Sequence, residues 1–181
     1  RFFGLGARVM QRLGVSTQLL AGGDIFPALE KGVIDATEFS MPAMDIKYGF
    51  YQIAKNNYFP GWHQQVSVSQ LLINNDKWNS LPDQFQAMVE IACGDSIHNT
   101  YSETEYVNPF AMVEMGEKYG VKTRRWRDDQ IAEFEKAWNA VVAEDSAKDP
   151  LFKEVNESYS KFRKAYSKWG AAQSLKPTYL K

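Results

Sequence analysis

The sequence holds one cysteine and two histidines in 181 residues, and those two shortages exclude a good deal of chemistry. Cys93 has no partner for an intramolecular disulfide, and it lies in an apolar helical pattern where a buried small thiol is expected. His63 and His98 stand far apart with no second cysteine near either, which argues against a zinc site. No Gly-x-Ser-x-Gly elbow is present, so a hydrolytic triad has no support. His98 falls mid-helix, as a surface or packing residue. A single cysteine leaves the compartment open, because many exported proteins manage without disulfides.

Long apolar runs are missing too. Nothing approaches the roughly 20 residues that cross a bilayer. No basic tract is present, and Lys+Arg 21 against Asp+Glu 22 leaves the chain near neutrality, which argues against a nucleic-acid partner. A leader segment is absent, yet the chain opens on Arg1-Phe2-Phe3 without an initiator methionine. The start is therefore expected to be a truncation, and a cytoplasmic location does not follow.

What the chain does have is a hydrophobic fraction of 44% and an aromatic fraction of 14%, the composition of a packed globular protein. Its length suits one domain or two small lobes. Arg8 to Leu13 reads as a helix ending at Gly14, and Ser16 to Leu20 as a strand. After Gly22-Gly23, Asp24 is placed to cap a short helix with Pro27 in its first turn, ending near Lys31-Gly32. Val33 to Phe39 reads as a strand, followed by a helix from about Pro42 to Lys55. Pro60-Gly61-Trp62-His63 is a turn, and Val66 to Ile73 a strand. Asn75 is placed to cap a turn over Asp76 to Ser80. A helical stretch then runs from Leu81-Pro82-Asp83 to about Tyr119, with Pro109 expected to kink or break it. Val121 to Arg124 is a short strand, and two helices follow, from about Arg127 to Ala147 and from Asp149 to about Ala171. The alternation predicts an α/β fold with a mainly parallel sheet. Four strands against six or seven helices leave helical surface without a partner, so further strands are expected upstream.

The residues alone single out little chemistry. Gly4-Leu5-Gly6 lacks the third glycine of a dinucleotide loop, since position 9 is Val9, and these glycines read as a tight turn. Asp35 and Glu38, three apart in a strand-like segment, point to opposite faces and form no acid/base pair. Glu38 stands at the carboxyl end of a strand, where α/β sheets bind ligands. Residue logic still favours a solvated loop carboxylate there.

The run from Gly22 to Phe39, GGDIFPALEKGVIDATEF, resembles the signature of TRAP-type extracytoplasmic solute receptors. Arg1 with Gly4-Leu5-Gly6 and Leu13-Gly14-Val15 is similar to that family's arginine-bearing strand and following helix. Tyr48-Gly49-Phe50-Tyr51, Tyr58-Phe59-Pro60-Gly61-Trp62-His63 and Trp78-Asn79-Ser80-Leu81-Pro82 resemble the branch that binds 2-oxo acids. The resemblance spans nearly the whole chain and is strongest over positions 1–93.

The resemblance implies periplasmic-binding-protein-like α/β lobes with long helices, of which residues 1–181 are the carboxy-terminal part and the amino-terminal lobe is truncated. It implies a non-enzymatic, periplasmic receptor that passes a small organic acid, a 2-oxo or 2-hydroxy monocarboxylate, to the membrane components of a TRAP transporter. Alternatives are a C4-dicarboxylate or sugar-acid receptor of the same family and, remotely, an α/β enzyme. Arg1 takes the position of the family's carboxylate-binding arginine, whose fork matches two carboxylate oxygens. Glu38, the Phe39 carbonyl and Gln64 match positions that hold a bridging metal ion. Oxygen-only ligands imply Na⁺ or Ca²⁺. Phe39 replaces the tryptophan frequent in the branch, and Trp62 either walls the pocket or packs its own turn.

The last helix carries one more expectation. Asp149 precedes Pro150 at the first helical position, and Phe152, Val155, Tyr159, Phe162, Tyr166 and Trp169 recur at alternating spacings of three and four. This stripe either packs on its own lobe or meets a second subunit. Residues 149–171, with the tail beyond Gly170, are expected to form a homodimer contact, as some family members do.

Overall fold

Ile25, Ala28 and Leu29 sit at i, i+3 and i+4 on helix α2 (Gly22–Glu30), and burying that face creates the main core. Ile34 and Phe50 complete it, with Leu20, Phe26, Phe39 and Ile53 packed around it. The computed structural model describes residues 1–64 and 66–174. Residues 175–181 of the expected dimer tail lie outside the described residues. The chain divides into two units, Arg1–Phe3 with Thr17–Ile131, and Gly4–Ser16 with the residues from Ala132 on.

In the first unit, α2 stops as its glycine dictates. Gly32 takes φ 67°, its N–H donates to Leu29 O at 3.1 Å, and Val33 N donates to Ala28 O at 2.9 Å. The start differs from expectation. The helix begins at Gly22 with Ala21 as its cap residue, Asp24 lies in its first turn, and Pro27 falls inside. Pro27, the sixth residue of α2, lies past the first four N–H groups that lack an internal partner and so forgoes one intrahelical bond. Helix α3 (Pro42–Lys47) is shorter than expected, because Gly49 turns left-handed at φ 76° and a 3₁₀ turn, Phe50–Gln52, follows. Its first turn is capped from a distance, since Asn108 Oδ1 accepts from Ala43 N at 3.1 Å.

Strand β1 (Asn56–Phe59) pairs in parallel with β2 (Lys122–Arg125), Asn56 opposite Lys122 and Phe59 opposite Arg125. The ladder extends at both ends, through Lys122 N to Lys55 O at 2.8 Å and Trp126 N to Phe59 O at 2.9 Å. Tyr58 stacks on Trp126 at 4.5 Å and Tyr51 on Tyr119 at 3.8 Å. Between the strands lie α4 (Asn75–Asn79) and α5 (Asp83–Glu117), a right order for a parallel crossover. Asn74, one residue before the expected Asn75, caps α4 by accepting from Asp76 N and Lys77 N.

Of the four expected strands, only the one at Val121 to Arg124 is a ladder strand here, displaced by one residue. Ser16 to Leu20, Val33 to Phe39 and Val66 to Ile73 form no ladder strand among the described residues, and Val33 and Asp35 lie in bends. A strand exists only through a hydrogen-bonded neighbour, and propensity cannot supply one. Pro109 does not break α5, which runs 35 residues without interruption. Cys93 is exposed, not buried, because residues 90–103 of α5 are exposed on all sides.

In the second unit, α1 (Gly4–Arg12) buries Ala7, Val9 and Met10, and α6 (Asp128–Lys148) buries Ala137 and Val141. Arg8 Nη1 pairs with Asp145 and Arg12 with Glu144. The Arg8 hydrogen bond holds the Asp145 carboxyl below its ordinary range. Helix α7 (Pro150–Gln173) starts as predicted, with Asp149 Oδ1 accepting from Leu151 N at 2.8 Å and Phe152 N at 3.2 Å. It buries none of its residues.

Gly49 offers the clearest test of this local reading. Alanine there meets a left-handed backbone, which costs about 1–2 kcal/mol, while the nearest obstacle to its Cβ is the flexible end of Gln52. Gly49→Ala is expected to lower stability by about that amount in urea unfolding. An unchanged midpoint would show that residue 49 is not left-handed.

Candidate functional site

Arg1 is fixed first by its backbone. Its amino group donates to Ala36 O at 2.6 Å, and its carbonyl accepts from Glu38 N at 3.2 Å. Those two bonds follow the parallel-pair pattern around Thr37. On the other side, Phe2 N donates to Gln18 O at 3.2 Å. Arg1 and Phe2 are therefore tied on one side to Ala36 and Glu38 and on the other to Gln18, and the Arg1 side chain is delivered beside Glu38.

The guanidinium is only 10% exposed and the carboxylate 13%. Arg1 Nη1 donates to Glu38 Oε1 and to the Glu38 carbonyl, the latter at 3.1 Å, and Nε donates to Leu20 O at 3.2 Å. Thr37 Oγ1 donates to the same Glu38 carbonyl at 2.8 Å. Phe3 faces the guanidinium carbon at 4.9 Å and Phe39 at 5.9 Å, cation–π contacts that also keep water out. Glu38 is thus not a solvated loop carboxylate. A largely buried ion pair is retained only where its partners are well matched, since each ion has given up hydration.

His63 is the residue that sequence reasoning missed. Its Nε2 approaches Glu38 Oε2 at 3.3 Å, while Nδ1 is buried with no hydrogen-bond partner. The ring lies 4.8 Å from Phe2 and 5.2 Å from Trp62, and Trp62 stacks on Phe2 at 5.8 Å. The one available signal was the turn Pro60-Gly61-Trp62-His63 immediately before Gln64.

Phe39 packs against Tyr48 at 4.6 Å and Phe50 at 5.4 Å. The absence of a side chain at Gly22 makes room for its ring, since a Cβ there would lie 3.2 Å from Phe39 Cε2. Arg1, Glu38 and Phe39 therefore lie together. Gln64 is exposed, and its Nε2 donates to Ser67 Oγ at 2.7 Å, which places that amide on its own loop.

Among the described residues no three His, Cys, Asp or Glu side chains gather. A cation at Glu38 would accordingly be met by one carboxylate with neutral backbone carbonyls such as that of Phe39, oxygen donors that fit a hard ion of low charge. Both Glu38 oxygens are engaged in this structure, Oε1 by Arg1 and Oε2 by His63, so such an ion would compete with one of these partners.

Residues 4–149 match the family described as bacterial extracellular solute-binding protein, family 7, DctP. The chain belongs to that family. This family 7 chain is 32% identical over 175 residues to the monocarboxylate 2-oxoacid-binding periplasmic protein of Nostoc sp. PCC 7120, covering 97% of this chain and 48% of the relative. A TRAP transporter solute-binding protein of Bordetella bronchiseptica RB50, a dimer with calcium and picolinate in one site, superposes with TM-score 0.85 at 32% identity. That match covers 95% of this chain and 51% of the neighbour. A TRAP periplasmic solute-binding protein of Pseudoalteromonas atlantica T6c, with sodium and pyruvate bound, has the same fold, with TM-score 0.87 at 24% identity over 97% and 55% of the two chains. The family 7 chain thus spans about half the length of these relatives. Its fold class is α/β, as expected, and its family is one of transport receptors, which removes the enzyme alternative. Arg1 precedes the matched span and α7 follows it.

Near the pair, Asp45 is partly buried, and its Oδ1 is shielded from solvent without a hydrogen-bond partner. Burial pushes its carboxyl up to about 6, against the opposing effect of a hydrogen bond from the Ser40 backbone, and the Glu38 charge adds to the rise. Moving from 3.8 to about 6 corresponds to about 3 kcal/mol against ionisation. Because the folded value lies above the unfolded one, stability is full below about pH 4 and falls as pH rises through 6. Asp45→Asn is expected to stabilise the protein by about 1–2 kcal/mol at pH 7.5, an advantage that vanishes near pH 4. Denaturation curves at the two pH values that show no such difference would place Asp45 in solvent.

Proposed function

We propose that this chain is the anion-holding part of a periplasmic receptor that captures a small 2-oxo or 2-hydroxy monocarboxylate together with a cation and delivers it to TRAP membrane components. The observation that carries the reading is the shielded Arg1–Glu38 pair between Phe3 and Phe39. An acid alone would take the guanidinium and leave Glu38 a buried unpaired charge. A cation alone would take Glu38 and leave Arg1 unpaired. Arriving together, acid and cation give each protein charge a new partner, and with Na⁺ the net charge of the site is unchanged. The Nostoc relative binds 2-oxo monocarboxylates, and the Bordetella neighbour holds calcium with picolinate, an aromatic monocarboxylate. In this reading Arg1 grips the acid's carboxylate, and Glu38, the Phe39 carbonyl and Gln64 hold Na⁺ or Ca²⁺, with Gln64 turning from Ser67.

Calorimetry on the protein as its gene encodes it, with pyruvate, succinate and gluconate, tests both anchor and substrate class. Arg1→Lys keeps the charge but loses the fork, and a tenfold or greater loss of pyruvate affinity is expected. Unchanged affinity would remove Arg1 from the site. Stronger binding of succinate or gluconate would move the receptor to the dicarboxylate or sugar-acid class.

We also propose that α7 forms a homodimer contact. Val155, Tyr159, Phe162, Tyr166 and Trp169 are each more than half exposed along one stripe, a contiguous apolar surface of the kind that marks protein contacts. Phe162→Glu should convert a dimer to a monomer in light scattering. A parent protein that stays monomeric at high micromolar concentration would rule the contact out.

A further inference from the structure

We infer that His63 is a positioning residue that reserves Glu38 Oε2, so that Glu38 can offer a cation only one oxygen, and that this biases the site toward Na⁺ over Ca²⁺. The inference rests on the cation reading proposed above.

Three observations converge on it. His63 Nε2 reaches Oε2 at 3.3 Å, whereas Arg1 holds the other oxygen. Phe2 and Trp62 flank the imidazole, which is 18% exposed, so the ring has little freedom to swing away. Its Nδ1 is buried without a partner, which favours the tautomer carrying hydrogen on Nε2, where an acceptor stands. The Oε2 bond therefore does not compete with the exchange at Oε1. When a cation and an acid separate Arg1 from Glu38, His63 keeps the carboxylate in place and leaves one oxygen to coordinate.

That matters for ion choice. Ca²⁺ needs many oxygens and commonly takes both from one carboxylate. Na⁺, with a single charge, is served by one carboxylate oxygen and neutral donors. Removing the His63 donor frees Oε2 for two-oxygen coordination and loosens the carboxylate that Na⁺ depends on.

The test compares pyruvate affinity in Na⁺, in Ca²⁺ and in chelated, Na⁺-free buffer, on the protein as its gene encodes it. His63→Gln retains an N–H donor near the Nε2 position, while His63→Asn carries its amide near Nδ1, and His63→Phe keeps only the ring. His63→Phe and His63→Asn should lose roughly tenfold or more in Na⁺, with a smaller loss or a gain in Ca²⁺. His63→Gln should restore most of the parent's preference, and if His63→Phe does not fold, the Asn and Gln variants carry the comparison. Independently of binding, long-range ¹⁵N–¹H spectra of the ligand-free protein should show hydrogen on His63 Nε2. Hydrogen on Nδ1, or an unchanged Na⁺ to Ca²⁺ ratio in both His63→Asn and His63→Phe, overturns the inference while leaving the cation reading standing. Full pyruvate affinity of the parent in chelated, Na⁺-free buffer removes the cation reading and this inference with it.

Discussion

The site depends on a backbone pairing of three residues. Arg1 reaches Glu38 because its own amino group and carbonyl bond to Ala36 and Glu38, while Phe2 is tied to Gln18 on the other side. Side-chain attraction alone could not choose this partner, since a long flexible guanidinium can meet many carboxylates at comparable cost. The parallel bonding pattern at Thr37 settles the register, and a shift of one residue would turn Arg1 to the opposite face. The α2 core then fixes the second segment, because Ile34 is buried in it and Phe39 packs against its edge. Core, register and charge pair are in this sense one construction.

Burial gives that pair its character. Phe3, Phe39 and the ring set of Phe2, Trp62 and His63 exclude most water from two opposite charges. Lower polarity around the pair strengthens its attraction and raises the cost of separating it without replacement. Asp45 feels the same surroundings without an arginine, so its carboxyl is pushed up instead.

Helix ends were legible because single residues write them. Gly14 and Gly32 take left-handed backbones at the ends of α1 and α2, and Asp149 with Pro150 starts α7. Strands were much less so. Asn56–Phe59 is rich in asparagine, a poor strand former, and it is a strand because Lys122–Arg125 lies beside it. Val66 to Ile73 has the opposite fate, with aliphatic residues in plenty and no ladder among the described residues. Cys93 misled for a related reason. Its helical pattern was read correctly, but burial belongs to what lies against a helix and not to the helix itself. The candidate residues Arg1, Glu38, Phe39 and Gln64 came from family resemblance, and the first three lie together while Gln64 is bonded to Ser67; residue logic alone set Glu38 in solvent. His63 escaped both, since its contact with Glu38 spans 25 residues of sequence and no local pattern encodes it.

The proposed exchange has a thermodynamic consequence that reaches beyond the individual contacts. Parting a buried ion pair with only one new partner supplied leaves the other charge stranded, at a cost of about 3–5 kcal/mol. A cation that binds first bears most of that cost, and so does an acid that binds first. Whichever comes second finds its protein partner already released and gains the attraction without it. The two ligands are then coupled, and the coupling is reciprocal: a cation that tightens acid binding is itself held tighter by the acid, by the same factor. In a compartment where the cation is abundant and the acid scarce, the cation's concentration does much of the work of opening the pair. A receptor built this way spends its affinity on the acid only when both are present, which is why a self-satisfied charge pair is a reasonable resting state for it.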